Sequence, residues 1–106
     1  MDSGYYSGGI ARYTIDNLII GNITAVTTLE VQVTLPGAVV GDIGIACPRD
    51  AIFTAGVGIN PVRISAANTG QIPFVNGSAG AINPADTFDF TIALIKASGA
   101  PAGVAT

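Results

Sequence analysis

Side chains able to carry chemistry are sparse in this chain of 106 residues: Cys47 is its one cysteine, it has three tyrosines, seven acids and four bases, and histidine is absent. Nucleophilic catalysis by serine or cysteine needs a neighbouring base to take the proton, and the usual base is missing. Cys47 has no partner for an internal disulfide and shares the parity of Ile43 and Ile45, so the spacing predicts a small buried hydrophobe. The acids Asp2, Asp16, Glu30, Asp42, Asp50, Asp86 and Asp89 are well spread. Asp86 and Asp89 are a close acidic pair, the first at the entrance of the last strand and the second facing outward on it, but the further oxygen ligands that calcium requires are missing. No ligand spacing for zinc occurs, and no carboxylate pair is placed for acid and base work. The chain therefore predicts no enzyme, no cofactor and no metal site.

Binding chemistry is equally limited. Gly8-Gly9 and Gly56-Val57-Gly58 do not sit between a strand and an amphipathic helix, as a phosphate-cradling loop would. Arg12, Arg49, Arg63 and Lys96 form no basic run, and the formal charge of -3 argues against nucleic-acid binding. Mean hydropathy is +0.57, but runs such as Leu18-Ile19-Ile20 and Ile92-Ala93-Leu94-Ile95 are too short to span a bilayer. The opening residues lack the charged and apolar blocks of a signal peptide, which predicts synthesis and retention in a cytoplasm. Asn22-Ile23-Thr24 and Asn76-Gly77-Ser78 fit the glycosylation pattern and read as turn chemistry. At Gly41-Asp42 the glycine allows an unusual backbone angle, and the carboxylate can close the turn by accepting amide hydrogens.

The elements that hold these residues are strands. From Thr28 to Leu35, closed by Pro36-Gly37, apolar Leu29, Val31, Val33 and Leu35 alternate with polar neighbours, which sets one buried and one exposed face. The period of two returns at Ile43, Ile45 and Cys47, read as inward, and at Phe88, Phe90, Ile92 and Leu94. A first strand over 10–20 changes parity near Asp16-Asn17, which predicts a bulge. A fourth over 57–66 is interrupted at Asn60-Pro61, and Asn68-Thr69-Gly70 turns it into a fifth over 71–76, where Pro73 predicts an edge position. The sixth runs from Thr87 to Ile95. Between Cys47 and Gly56, Ile52 and Phe53 are expected to tuck under an open end as a lid, and Ile82 to plug the core. These elements predict an all-β single domain, an antiparallel β-sandwich or jelly-roll-like barrel over 10–96. Residues 1–9 read as a flexible N-terminal arm anchored by Tyr5 and Tyr6, and 97–106 as a C-terminal tail.

Charged residues make up only 10% of the chain, well below the usual quarter, so its surface must be mostly Ala, Gly, Thr and Asn. An exterior that neutral favours contact with other protein surfaces, either copies of itself or a larger assembly.

The runs Val33-Thr34-Leu35-Pro36-Gly37-Ala38-Val39-Val40-Gly41-Asp42, Val62 to Thr69, Ile72-Pro73-Phe74-Val75-Asn76 and Ala81-Ile82-Asn83-Pro84 resemble a small β-domain of tailed-bacteriophage virion proteins. The resemblance covers roughly 26–95 and is to the capsid decoration, or cement, type. It implies a jelly-roll-like trimer on the outer capsid surface that stabilises the head by bridging major capsid proteins, with the virion as its location. It further implies partner contacts from the arm and the first strand, at Tyr5, Tyr6, Arg12 and Tyr13. The alternative is a module of a tail or head fibre or spike that binds host glycans, for which the absence of tryptophan supplies a poor aromatic platform.

Overall fold

The computed structural model describes residues 9–50, 53–84 and 87–97. They form an all-β, antiparallel domain of seven strands: β1 Ile10–Leu18, β2 Thr27–Thr34, β3 Ile43–Pro48, β4 Val57–Ile59, β5 Val62–Ala66, β6 Thr69–Asn76 and β7 Phe88–Ile95. The order across the sheet is β1-β7-β3-β5-β6-β2, with β4 beside β5 on the same flank of β6. The sheet is continuous and curls into a half-barrel, joined at its bend only through the short pairing of Ile43 with Arg63 and Gly44 with Val62. Its two halves meet across the interior, where the rings of Phe74 on β6 and Phe90 on β7 lie 5.8 Å apart.

Alternation sets most of the core. Leu29, Val31 and Val33 on β2, and Phe88, Phe90, Ile92 and Leu94 on β7, face inward as their spacing predicts. Phe53 closes one end, with its ring 5.0 Å from Phe88 and 5.9 Å from Phe90. Its expected companion Ile52 lies outside the described residues, as do Asp86, Tyr5 and Tyr6. Ile82 is half-buried and exchanges main-chain hydrogen bonds with Ile23 at 2.8 and 2.9 Å, pinning the loop from 77 to 84 over the barrel mouth. The bulge expected near Asp16-Asn17 is present: the β1–β7 register shifts between Ile15 and Leu18, and Asn17 takes φ 57°. Asn68, at φ 63°, makes the β5–β6 turn.

Two expectations are corrected. Pro73 does not mark an edge, because β6 is flanked by β2 on one side and by β4 and β5 on the other. Its carbonyl accepts from the Asn60 amide at 3.0 Å. A strand residue directs its N–H and C=O to the same side, so the missing amide of Pro73 faces the Asn60–Pro61 break, where no regular ladder needs it. The inward parity expected for β3 is also reversed. Gly44 is buried, whereas Ile43 and Ile45 are 56% and 57% exposed and Cys47 is an exposed free thiol. The cause is steric. A Cβ at Gly44 would stand 2.7 Å from Val62 Cβ and 3.2 Å from Leu94 Cδ1, so at the bend the inner position has room for hydrogen alone. Gly44→Ala is expected to cost about 2 kcal/mol, as overpacked cores do, read from urea denaturation.

Val26, just before β2, adopts φ 53° and is 74% exposed. A β-branched residue is strained there, whereas glycine adopts the conformation freely. Val26→Gly is expected to raise stability by about 0.5–1 kcal/mol, measured as an upward shift of the thermal midpoint.

Candidate interaction surface

The curl of the sheet leaves a convex outer face on β1, β7 and β3. Register places Ile10 beside Ile95 and Ile95 beside Ile43, one row across three strands. The next row is Arg12, Ala93 and Ile45, and the one after it Thr14, Thr91 and Cys47. Ile10 and Ile95 are 48% and 46% exposed. With Ile43 and Ile45 they form a contiguous apolar patch on a chain otherwise short of surface charge. Val39 and Val40, in the loop that leads into Ile43, add two more exposed apolar side chains at the same end of the sheet. Scattered exposed apolar residues are ordinary, but rows of them on adjacent strands mark contact surfaces.

A buried ion pair holds this end in place. Asp42, with its carboxylate fully buried, accepts from the Val39 amide at 3.0 Å, the Ala97 amide at 2.7 Å and Lys96 Nζ at 2.6 Å. Lys96 Nζ also donates to the Gly37 carbonyl at 2.7 Å. The turn expected at Gly41-Asp42 is therefore closed by its side chain, and the same side chain ties the 36–42 loop to the end of β7. Burial is the largest single influence on this carboxyl and pushes its pKa up. The amide of Ala97, the Lys96 ammonium and the amide of Val39 together outweigh it, so the net shift is downward.

Arg12 is exposed on the outer face beside Ala93, within the patch. Tyr13 points the other way: its ring packs half-buried on the core, and its hydroxyl donates to the Pro36 carbonyl at 2.7 Å, making it a strut to the loop beneath. The structure thus brings Arg12 to the surface patch and takes Tyr13 away from it. Ile43 and Ile45 read as core from their apolar alternation, and Ile10 and Ile95 stand at strand ends where no pattern singles them out. The available signal was Gly44 and Ala46, small residues interleaved with the large ones.

Several other polar side chains among the described residues take structural roles. Glu30 on β2 accepts from Arg63 Nε at 3.1 Å and Nη2 at 2.6 Å across the outer face. That hydrogen bond is the main cause of the lowered carboxyl pKa of Glu30, against a smaller opposing effect of desolvation. Asp16 pairs with Arg49, whose Nε also donates to the Phe90 carbonyl at 3.4 Å. Asp89 accepts from the Asn17 amide at 2.9 Å, and Asp50 from the Asp89 amide at 3.0 Å. Asn76, within the second glycosylation-like triplet, is fully buried and accepts through Oδ1 from Ser78, the turn role its sequence suggests. Among the described residues no cluster of three or more His, Cys, Asp or Glu side chains could hold a metal ion.

Set against protein-family models, characterised proteins and solved structures, the chain matches none of them.

Proposed function

We propose that this chain is a structural protein of a tailed-bacteriophage virion, a capsid decoration protein without catalytic activity. In this reading it self-associates, as a trimer, and binds major capsid protein on the outside of the head, where it bridges neighbouring subunits. The observation that carries the reading is the row Ile10–Ile95–Ile43 with Ile45 beneath it, an apolar face held on three hydrogen-bonded strands. The low charge of the chain fits the same purpose: apolar and neutral surfaces bury against a partner with little desolvation cost. Several weak contacts made at once by one oligomer multiply into tight binding without any deep pocket.

The test is electron cryo-microscopy of phage heads assembled with and without the protein, followed by titration of stripped heads. Wild-type protein is expected to saturate at a stoichiometry set by the lattice. The double variant Ile43→Lys, Ile45→Lys, which alters only outward-facing side chains, is expected to lose at least about tenfold in occupancy while keeping its thermal midpoint. Equal occupancy by the variant would remove the outer face from the account, and wild-type protein that leaves heads bare would remove the virion role.

A further inference from the structure

Two long strands stand at the ends of the sheet order, β1 and β2, and the phase of their hydrogen bonds can be read. Lys96 donates its amide to the Gly9 carbonyl at 2.7 Å, so Gly9, Ala11 and Tyr13 turn their main-chain groups to β7. Ile10, Arg12 and Thr14 turn theirs to the other side, where no strand of the described residues pairs with β1. On β6 the bond from Asn60 to Pro73 fixes the phase in the same way. Ile72 and Phe74 then face β2 and bond Val31 and Leu29, which leaves Thr28, Glu30 and Gln32 directed outward. Between Ile10 and Ile15 no proline or bulge blunts the edge, so it can accept another strand.

We propose that the β1 edge of one copy pairs antiparallel with the β2 edge of a second copy of this chain, with Arg12 opposite Glu30, Thr14 opposite Thr28 and Ile10 opposite Gln32. This rests on the self-association in the function proposed above and names the surface that performs it.

Charge selects the register. With Arg12 against Glu30, opposite charges and a threonine pair face each other on the outer side, the favourable cross-strand combinations. A slip of two residues sets Thr14 against Glu30 and strands the arginine opposite Gln32. A slip of four sets Asp16 against Glu30, two like charges. The carboxylate of Glu30 already accepts from Arg63, and its remaining lone pairs are open to a second guanidinium. Pairing β1 with another β1 about Arg12 would oppose two arginines, and pairing β2 with another β2 about Glu30 would oppose two glutamates, so each edge is better matched to the other than to itself.

The inner face agrees. Leu29, Val31 and Tyr13 are only partly buried on the two outermost strands, whereas Phe74, Ile72, Phe90 and Ile92 on interior strands are 0% exposed. In the chosen register Tyr13 lies opposite Leu29 and Ala11 opposite Val31 of the second copy, so the exposed rims of the two cores cover one another. The contact supplies about six main-chain hydrogen bonds. Each copy offers one edge of each kind, and a closed assembly pairs both.

The experiment compares masses by light scattering for wild type, Thr14→Pro, Arg12→Glu, Glu30→Arg and the double swap Arg12→Glu, Glu30→Arg. The Thr14 amide points away from β7, so proline there spares the internal ladder while removing a donor from the edge. Wild type is expected to form a multimer and Thr14→Pro to run as a single chain of 10.6 kDa with its thermal transition retained. Each single charge reversal is expected to weaken association about tenfold, and the double swap to restore it. A Thr14→Pro protein that keeps the wild-type mass, or a double swap no better than the single reversals, overturns the edge pairing. The swap decides the matter if Thr14→Pro does not fold. Edge variants that dissociate while wild type leaves phage heads bare support the pairing and sink the virion role; edge variants that keep wild-type mass and still coat heads do the reverse.

Discussion

Replacing Asp42 with alanine is expected to lower the unfolding free energy by about 3 kcal/mol, the loss typical when one partner of a buried ion pair is removed. Three donors lose their acceptor at once: the amides of Val39 and Ala97 and the ammonium of Lys96. The side chain of Lys96 is only 9% exposed, so its charge is left with the Gly37 carbonyl alone. Guanidinium denaturation of the two proteins measures the difference, and the double variant Asp42→Ala, Lys96→Met is expected to recover part of it by removing the stranded charge. The wild-type protein carries the same signature in its pH dependence. The folded-state pKa of Asp42 is lowered, so the unfolded chain takes up this proton first. The contribution is complete above the ordinary aspartate value of about 4 and is lost as pH falls through the lower folded value. Asp42→Ala is expected to flatten that acid limb, seen in thermal midpoints recorded from neutral pH downward.

Asn76→Ala is expected to cost about 3 kcal/mol, because a fully buried amide leaves several main-chain groups unpartnered when it is removed. Its Nδ2 donates to the carbonyls of Ile23 at 3.0 Å, Thr24 at 3.3 Å and Gly80 at 2.8 Å. Its Oδ1 accepts from the Ser78 amide at 2.9 Å and hydroxyl at 2.6 Å. One side chain thus joins two loops, 19–26 and 77–82, over the same barrel mouth. Asn76→Asp tests the donor half alone: it retains an acceptor for Ser78 but turns a charge toward three carbonyls, so a loss as large as that of alanine is expected in the same denaturation series. Hydrogen exchange should show the Ile23–Ile82 bridge opening first in both variants.

Local pattern made much of this fold legible. On β2, and on β7 as far as Ile92, polar and apolar residues alternate, so their inner faces could be assigned before any contact was known. The bulge at Asn17, the turn at Asn68 and the carboxylate turn at Asp42 were legible too, because each depends on residues within a few positions. On β3 the rule failed for a physical reason. Ile43, Gly44, Ile45 and Ala46 are apolar on both parities, and what decides between them is the close approach of Val62 and Leu94 to Gly44, residues far along the chain. That inversion also hid the candidate surface. Arg12 lies on the outer face, but Ile43 and Ile45 near it read as interior. Pro73 misled in the same way, since its tolerance in β6 depends on the Asn60–Pro61 break facing it. The ion pair of Asp42 with Lys96 spans 54 positions and left no local trace.

The roles of the two surfaces follow from their chemistry. The outer face offers apolar area without directed bonds, which suits a broad protein partner; the β1 and β2 edges offer ordered main-chain groups and one charge pair, which suit a copy of the chain in fixed register. The central claim is that this weakly charged sheet exists to be covered by other protein. It is tested most directly by the mass of the purified chain in solution, measured by light scattering over a wide concentration range at moderate salt. The account predicts a defined multiple of 10.6 kDa that persists on dilution into the micromolar range. A constant mass of 10.6 kDa at every concentration would contradict it.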